Sequence, residues 1–307
     1  MKPKIVVIGS SNTDMIINVP HLPSPGETVL GDEISIVQGG KGANQAVAAA
    51  RAGGDVVFIS CLGTDAFGNR SLEMLSQEGI DTSNVKLVSK IASGVALINV
   101  SRDGENSISV APGANSHLLP EDITRLAGVI EKADMVLLQL EIPMDTVCKA
   151  IEVAVAQCVP VILNPAPAAA IDIELIKGVE VITPNLNEAA VISGLVDYRN
   201  NYVKMANALK NMGFKRVVIT LGEEGAYYLM DGEEGKISGR KINAVDATAA
   251  GDTFNGYLAV ALAKGSCMKH AIELANKAAS ISVTRPGAQP SIPYIKEIES
   301  LEVGKLK

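Results

Sequence analysis

Short runs of Val, Ile and Leu recur along the chain at Ile5–Ile8, Val56–Ile59, Met135–Leu140, Val159–Leu163, Val179–Ile182 and Val217–Leu221. They alternate little with polar residues, as strands covered on both faces should. Helical periodicity fills the intervals. In Ala43–Ala50 the small apolar residues Ala43, Ala46, Val47 and Ala50 share one face, and in Glu121–Glu131 the stripe is Ile123, Leu126, Ala127 and Ile130. This alternation predicts an α/β fold, a three-layer α-β-α core around a mostly parallel central sheet.

Two stretches break the rhythm. Asp14–Val37 holds Pro20, Pro23, Pro25 and Gly26 between strand-like segments, and in Gly94–Val110 two strand-like runs flank an Asp103-Gly104 turn. We expect them to form a small β-sheet lid from about residues 14–37 and 94–110, over a single domain spanning residues 1–307.

Composition narrows the function. With 307 residues, 47% of them hydrophobic, the chain can bury a large core, and a net charge of -7 argues against a nucleic-acid partner. Such a charge still permits a phosphorylated ligand, because backbone amides and bound cations can hold one. Cys61, Cys148, Cys158 and Cys267 form no C-x-x-C pair and read as small hydrophobes in a reducing compartment. Residues 1–9 read as a first buried strand with too short an apolar run for a signal peptide, and no run of 18 apolar residues occurs. The expected address is the cytoplasm, with no membrane partner.

The familiar phosphate, dinucleotide and esterase fingerprints (G-x-x-x-x-G-K-[ST], G-x-G-x-x-G after the first strand, G-x-S-x-G) are missing. His21, His117 and His270 have no evident catalytic companion. Four segments do carry chemistry. In Val245–Phe254 the small residues Ala249, Ala250 and Gly251 would expose backbone amides at a helix start, which suits an anion. Asp252 beside that anion would compete with it unless it takes a proton from an attacking hydroxyl. An ordinary Asp N-cap on a small-residue turn would look the same. In Gln38–Gln45 glycines permit close backbone approach, and Lys41 and Asn44 offer donors to sugar hydroxyls; a flexible loop before a helix is the plainer reading. Thr183–Glu188 and Thr220–Gly225 lie at the carboxyl ends of predicted strands, where ligands of open α/β sheets gather, although each also fits a routine βα turn.

Taken together, and with Gly9–Asp14, Pro25–Thr28, Asn164–Ala168 and Thr284–Ser291, these segments resemble the ribokinase-like, or PfkB-type, carbohydrate kinase family. Gly39–Asn44 resembles its first signature and Asp246–Asp252 its second, and the matches run in family order from about residue 5 to residue 293.

The resemblance implies the ribokinase-like fold and ATP-dependent phosphorylation of D-ribose at its 5-hydroxyl, giving D-ribose 5-phosphate and ADP. Asn12, Asp14, Gly40, Lys41, Asn44 and Glu141 would bind the sugar, Asp252 would be the general base, and the amides of Ala249, Ala250 and Gly251 would form the anion hole. ATP would sit over Thr220, Gly222 and Gly225, with Gly251 at its phosphates, Asn185 nearby and Asn276 at the base. Glu188 would act through water on Mg²⁺ or another divalent cation. A monovalent activator, K⁺, would lie among Asp246, Thr248, Ser282, Arg285, Gly287 and Ser291, mostly on backbone carbonyls. One position departs from the family pattern: Ala247 follows Asp246 where the second signature commonly has Thr.

Relatives acting on deoxyribose, another sugar or a nucleoside would share the base and anion hole. An aromatic content of 3% without Trp offers little stacking for a nucleobase. A non-catalytic sugar-binding protein on this fold would tolerate loss of Asp252 or Gly251, and both are present. Exposed lid edges would be covered by pairing two lids, so a homodimer through the lid strands is expected.

Overall fold

The computed structural model describes residues 1–195 and 201–303, so the expected domain extent of 1–307 includes residues 196–200 and 304–307, which lie outside the described residues. The chain opens with β1 (Lys4–Ile8), β2 (Asn12–Val19), β3 (Ile34–Gly39), α1 (Lys41–Arg51), β4 (Asp55–Gly63), α2 (Ala66–Gln77) and β5 (Val85–Val88). Then come β6 (Gly94–Ser101), β7 (Asn106–Ala111), α3 (Pro120–Arg125), α4 (Ala127–Ile130), β8 (Met135–Leu138), α5 (Met144–Ala156), β9 (Val161–Leu163) and β10 (Val181–Ile182). The remainder is α6 (Leu186–Ser193), α7 (Tyr202–Asn211), β11 (Arg216–Thr220), β12 (Gly225–Met230), β13 (Glu233–Ser238), α8 (Ala250–Ala263), α9 (Met268–Ser282) and α10 (Ile295–Val303).

Nine strands form one sheet in the order β13-β12-β11-β10-β9-β8-β1-β4-β5. Strands from β11 to β5 in that order run parallel, and β12 and β13 extend the sheet as an antiparallel hairpin. Alternation within each strand divides the core. Val6 and Ile8 of β1 pack with the apolar faces of α3 to α7, while Ile5 and Val7 pack with α1, α2, α8 and α9. Each fully buried Val, Ile or Leu contributes about 1.5–3 kcal/mol of transfer free energy, so two covered faces account for the unbroken apolar runs.

A second sheet, in the order β3-β2-β6-β7, forms the lid. Its strands β2, β3 and β6 meet the core at one corner, where Asn12 pairs with Gly39 on one side and Gly94 on the other. Ile34, Ile36, Leu97, Ile108 and Val110 of this sheet are each more than half exposed.

Three sequence expectations need correction. The helix expected over Glu121–Glu131 is broken at Leu126 (φ −95°, ψ 11°) into α3 and α4, with the poor helix former Gly128 just beyond. The strand expected at Val179–Ile182 shortens at its start to Val181–Ile182, because the Val179 amide turns back on Ile176 O (3.4 Å) instead of joining the ladder. The β12–β13 hairpin was not anticipated: β13 is a polar edge strand, and its sequence Glu233–Ser238 lacks an apolar run.

Helices α1 and α8, whose first turns carry Lys41, Asn44, Gly251 and Asp252 of the expected site, lie against each other at Gly256. A Cβ there would stand 2.4 Å from Ala48 Cβ and 2.7 Å from the Ala49 amide nitrogen. Gly256→Ala is therefore expected to lower the unfolding free energy by about 1–3 kcal/mol through overpacking, read as a lower denaturant midpoint at unchanged slope.

Candidate active site

The carboxyl ends of the parallel strands open toward the lid, and the expected sugar-binding residues converge there. At the exit of β1, Gly42 presses its backbone onto Ser10; a Cβ on Gly42 would lie 2.5 Å from Ser10 N. Gly40 precedes α1 with φ 85°, a conformation that favours glycine. No local side chain caps α1. Glu141 does so from beyond β8, its Oε2 accepting from the Lys41 amide (2.9 Å) and the Ser10 hydroxyl (2.5 Å). Glu141 is thus committed on one oxygen and free to meet a ligand with the other.

Asn12 and Asp14 are both buried at the root of the lid. Gly39 makes room for Asp14, since a Cβ would sit 2.1 Å from its Oδ2. Asn12 Oδ1 accepts from Asn115 Nδ2 (2.8 Å), which leaves the Asn12 amide group to present donors. Asn44 has the opposite polarity. Its Nδ2 donates to Asp252 Oδ2 (3.0 Å), and its buried Oδ1 has no partner among the described residues.

Asp252 is 6% exposed and lies in the first turn of α8. It is not the helix N-cap. That position belongs to Ala249, which adopts a left-handed conformation (φ 59°, ψ 12°) unusual for a residue with a Cβ. The Asp252 carboxylate instead faces α1, accepting from Asn44 on Oδ2 and from Gln45 Nε2 on Oδ1 (3.0 Å). The expected anion hole also changes in detail. The Ala250 amide turns back on Ala247 O (3.2 Å), so the first-turn amides without an acceptor among the described residues are those of Ala249, Gly251 and Asp252.

A largely apolar cleft runs from this helix start along α9 and the β12–β13 hairpin. Thr220, Gly222, Gly225, Gly251 and Asn276, which the resemblance implied at ATP, are among its lining residues. Asn185 is not among its lining residues. It forms a reciprocal cap at the start of α6, accepting from the Glu188 amide (2.9 Å) while Glu188 Oε2 accepts from the Asn185 amide (2.8 Å). The expected cation loop is held together by Asp246, which accepts from Thr248 N (2.8 Å), Thr248 Oγ1 (2.6 Å) and Gly287 N (2.8 Å). Thr248 thereby supplies a hydroxyl one residue after the departure at Ala247. The Ser282 carbonyl accepts from Arg285 N (3.1 Å), and Ser291 Oγ donates to Ala288 O (2.7 Å).

A model of the pfkB family carbohydrate kinases matches residues 2–295. The chain belongs to this family. It is 43% identical over 304 residues to a ribokinase of Haemophilus influenzae, covering 98% of this chain and 99% of that one. A deoxyribokinase of Salmonella typhi is 36% identical over 295 residues, covering 95% and 96%. The structure of Arabidopsis thaliana ribokinase complexed with ribose and ATP superposes with a TM-score of 0.89 at 31% identity, covering 98% of this chain and 99% of that one. The chain is a kinase, a phosphotransferase with the three-layer fold and lid of its relatives.

Several neighbours of this kinase site were not legible as such in the sequence. Gln45 lies inside the glycine-rich segment but reads as an ordinary helix residue, and Asn115 and Asn164 reach their partners only through the fold. Arg240, Ile242 and Ala244 line the cleft from the segment after the unanticipated hairpin.

The electrostatics are lopsided. Asp14, Glu141, Glu188 and Asp252 all act on the single ammonium of Lys41. Burial alone would push the Lys41 ammonium down, but the four carboxylates outweigh it and hold the group above its ordinary value. Burial pushes Glu188 up, with Lys41 and the Asn185 amide opposing. For Asp14, burial and then the charges of Glu141 and Asp252 raise the carboxyl from 3.8 to about 6. The native state therefore holds this proton more tightly than the unfolded chain, a contribution that favours folding in acid and is lost as pH rises through about 6. Asp14→Asn is expected to stabilise the ligand-free protein by up to about 3 kcal/mol at neutral pH. The gain should shrink as pH falls from about 7 to about 4, as read by thermal unfolding.

Proposed function

We propose that the chain transfers the γ-phosphoryl group of ATP to the 5-hydroxyl of D-ribose, giving D-ribose 5-phosphate and ADP. One observation carries this reading: the Asp252 carboxylate lies between α1, with its sugar-facing polar groups, and the unpaired first-turn amides of α8, which border the cleft. The sugar is read by Asn12 as donor, by Asp14 and Asn44 Oδ1 as acceptors, and by Gly40, Lys41 and Glu141 at the head of α1. A missing hydroxyl would strand these buried groups, the strongest form of discrimination a pocket can offer.

In the transfer, Asp252 accepts the proton of the 5-hydroxyl as its oxygen bonds to phosphorus and the bond to the β-phosphate oxygen breaks. The amides of Ala249 and Gly251 donate to the phosphoryl oxygens as charge moves onto them. Adenine would lie in the cleft beside Asn276, over Thr220, Gly222 and Gly225.

The excess of carboxylates would repel a polyphosphate, which suits a divalent cation arriving with it. The described residues hold no group of three or more His, Cys, Asp or Glu side chains fit to cage a metal, and Mg²⁺ commonly keeps its waters and binds through one or two carboxylates plus phosphate. Glu188 would act through such a water. When bound, the cation neutralises the phosphate charge during transfer. For K⁺, the carbonyls of Asp246, Thr248, Arg285 and Gly287 accept no hydrogen bond from another described group, a donor set that fits a large monovalent ion. Ser282 and Ser291 border it.

The match to a deoxyribokinase supports a second substrate reading, 2-deoxyribose. A sugar-panel assay with ATP and Mg²⁺, with and without K⁺, decides between them. We expect ribose to be turned over fastest and K⁺ to raise the rate; strong turnover of another sugar with none of ribose would overturn the assignment. Asp252→Asn should cut kcat by about 10²–10⁴ while sugar binding persists, and near-normal turnover would remove Asp252 from the base role.

The lid supports a homodimer. Strand register puts Ile34, Ile36 and Leu97 on one face and Ile108 and Val110 on the other, all more than half exposed. Pairing two lids would cover such surface and the lid edges. Light scattering at micromolar concentration should give twice the chain mass; a monomer would refute the pairing. Among the described residues no helix is long and apolar enough to cross a membrane, and the reading places the reaction in the cytoplasm.

A further inference from the structure

Three adjacent strands of the main sheet end in line. Leu138 of β8 pairs with Leu163 of β9, and Leu163 pairs with Ile182 of β10. The next residue on each strand is polar and buried: Gln139, Asn164 and Thr183 are 0%, 7% and 1% exposed. They form a row across the carboxyl edge of the sheet, joined to Asp252 through Gln45.

The polarity of the row is determined by its donors. Gln139 Nε2 donates to Gln45 Oε1 (2.7 Å), so Gln45 must present its own Nε2 elsewhere. That group donates to both Asp252 Oδ1 (3.0 Å) and Asn164 Oδ1 (3.0 Å). Asn164 then donates through Nδ2 to Thr183 O (3.0 Å). The Thr183 hydroxyl donates to Asn255 Oδ1 (2.6 Å), and Asn255 Nδ2 donates to Gly251 O (2.8 Å). Reversing the Gln45 amide would set its oxygen against two other acceptors. The sequence of bonds leaves the Asp252 carboxylate and returns to the peptide between Gly251 and Asp252, so it closes into a ring.

That closure has a geometric effect. A trans peptide is planar, with its C=O and N–H pointing in opposite directions. Holding Gly251 O therefore aims the Asp252 N–H, one of the first-turn amides without an acceptor among the described residues. The ring ties the Asp252 carboxylate at one end and a first-turn amide of α8 at the other.

Resting on the kinase reading of this site, we propose that the ring sets the base and the first turn of α8 in one fixed relation, with Gln45 and Thr183 as positioning residues. Neither touches substrate: Gln45 is 0% exposed and Thr183 1%. A purely structural role, satisfying buried strand-end groups, would affect stability and leave catalysis alone.

Steady-state kinetics on the full chain, with the sugar that the unaltered protein turns over, separates the two. Thr183→Val keeps the shape and removes the hydroxyl. It should lower kcat about tenfold or more while the sugar KM stays within about threefold, because small misplacements of reacting groups cost rate more than binding. Thr183→Ser should restore kcat. Gln45→Glu approaches from the other end of the ring and sets a second carboxylate against Asp252. The acidic limb of its kcat–pH profile should move to higher pH, since adjacent carboxylates share a proton. A Thr183→Val variant with unchanged kcat and only a lower Tm would overturn the proposal, as would an unmoved Gln45→Glu profile. No phosphoryl transfer by the unaltered protein to any sugar would instead sink the kinase reading beneath it.

Discussion

The site is governed by an unfavourable arrangement: four carboxylates gathered at the ends of buried strands around one ammonium. Water would separate such charges, and the fold keeps them together. Two devices make this tolerable. Helix α1 starts at the cluster, so its dipole and the Lys41 amide meet Glu141, and the amide side chains of Asn44 and Gln45 each donate to Asp252. What remains uncompensated is concentrated on Asp14, whose carboxyl is raised to about 6. Stability forgone at such a point is typical of sites shaped for a ligand that brings its own donors.

The energy that holds the arrangement comes from elsewhere in the chain. Both faces of the main sheet are sealed by helices, and α1 and α8 approach so closely that Gly256 leaves no room for a methyl group beside Ala48. This contact brings the Asp252 carboxylate on α8 against the amide side chains of Asn44 and Gln45 on α1. Packing between two helices thus sets the hydrogen-bond lengths at Asp252, with no direct covalent or sequential link between the partners.

That non-locality marks the limit of what the residue pattern disclosed. The buried strands were legible because apolar runs report double coverage, and Asp252 stood out because a carboxylate next to small residues at a helix start is chemically odd. Gln45 carried no such signal. Its partners Asn164 and Asp252 lie 119 and 207 residues away, and only the closed sheet makes them neighbours. Glu141 was expected at the sugar, but its work as the cap of α1 depends on a strand end meeting a distant helix start. Ala250 could not be told from Ala249 by composition, yet its amide is spent on Ala247. The polar strand β13 offered no hydrophobic periodicity, and with it the far wall of the cleft went unread.

The lid is rooted at Asn12, Gly39 and Gly94, three residues paired side by side where the lid meets the core. From that root β2 extends for eight residues, roughly 25 Å at the usual rise per residue. The sheet is in effect a lever whose fulcrum lies beside the candidate site. A tilt of about 10° at the fulcrum would carry the far end through roughly 4 Å. A small molecule seated at the corner would act at the short end of that lever, where a slight shift becomes a large one at the tip.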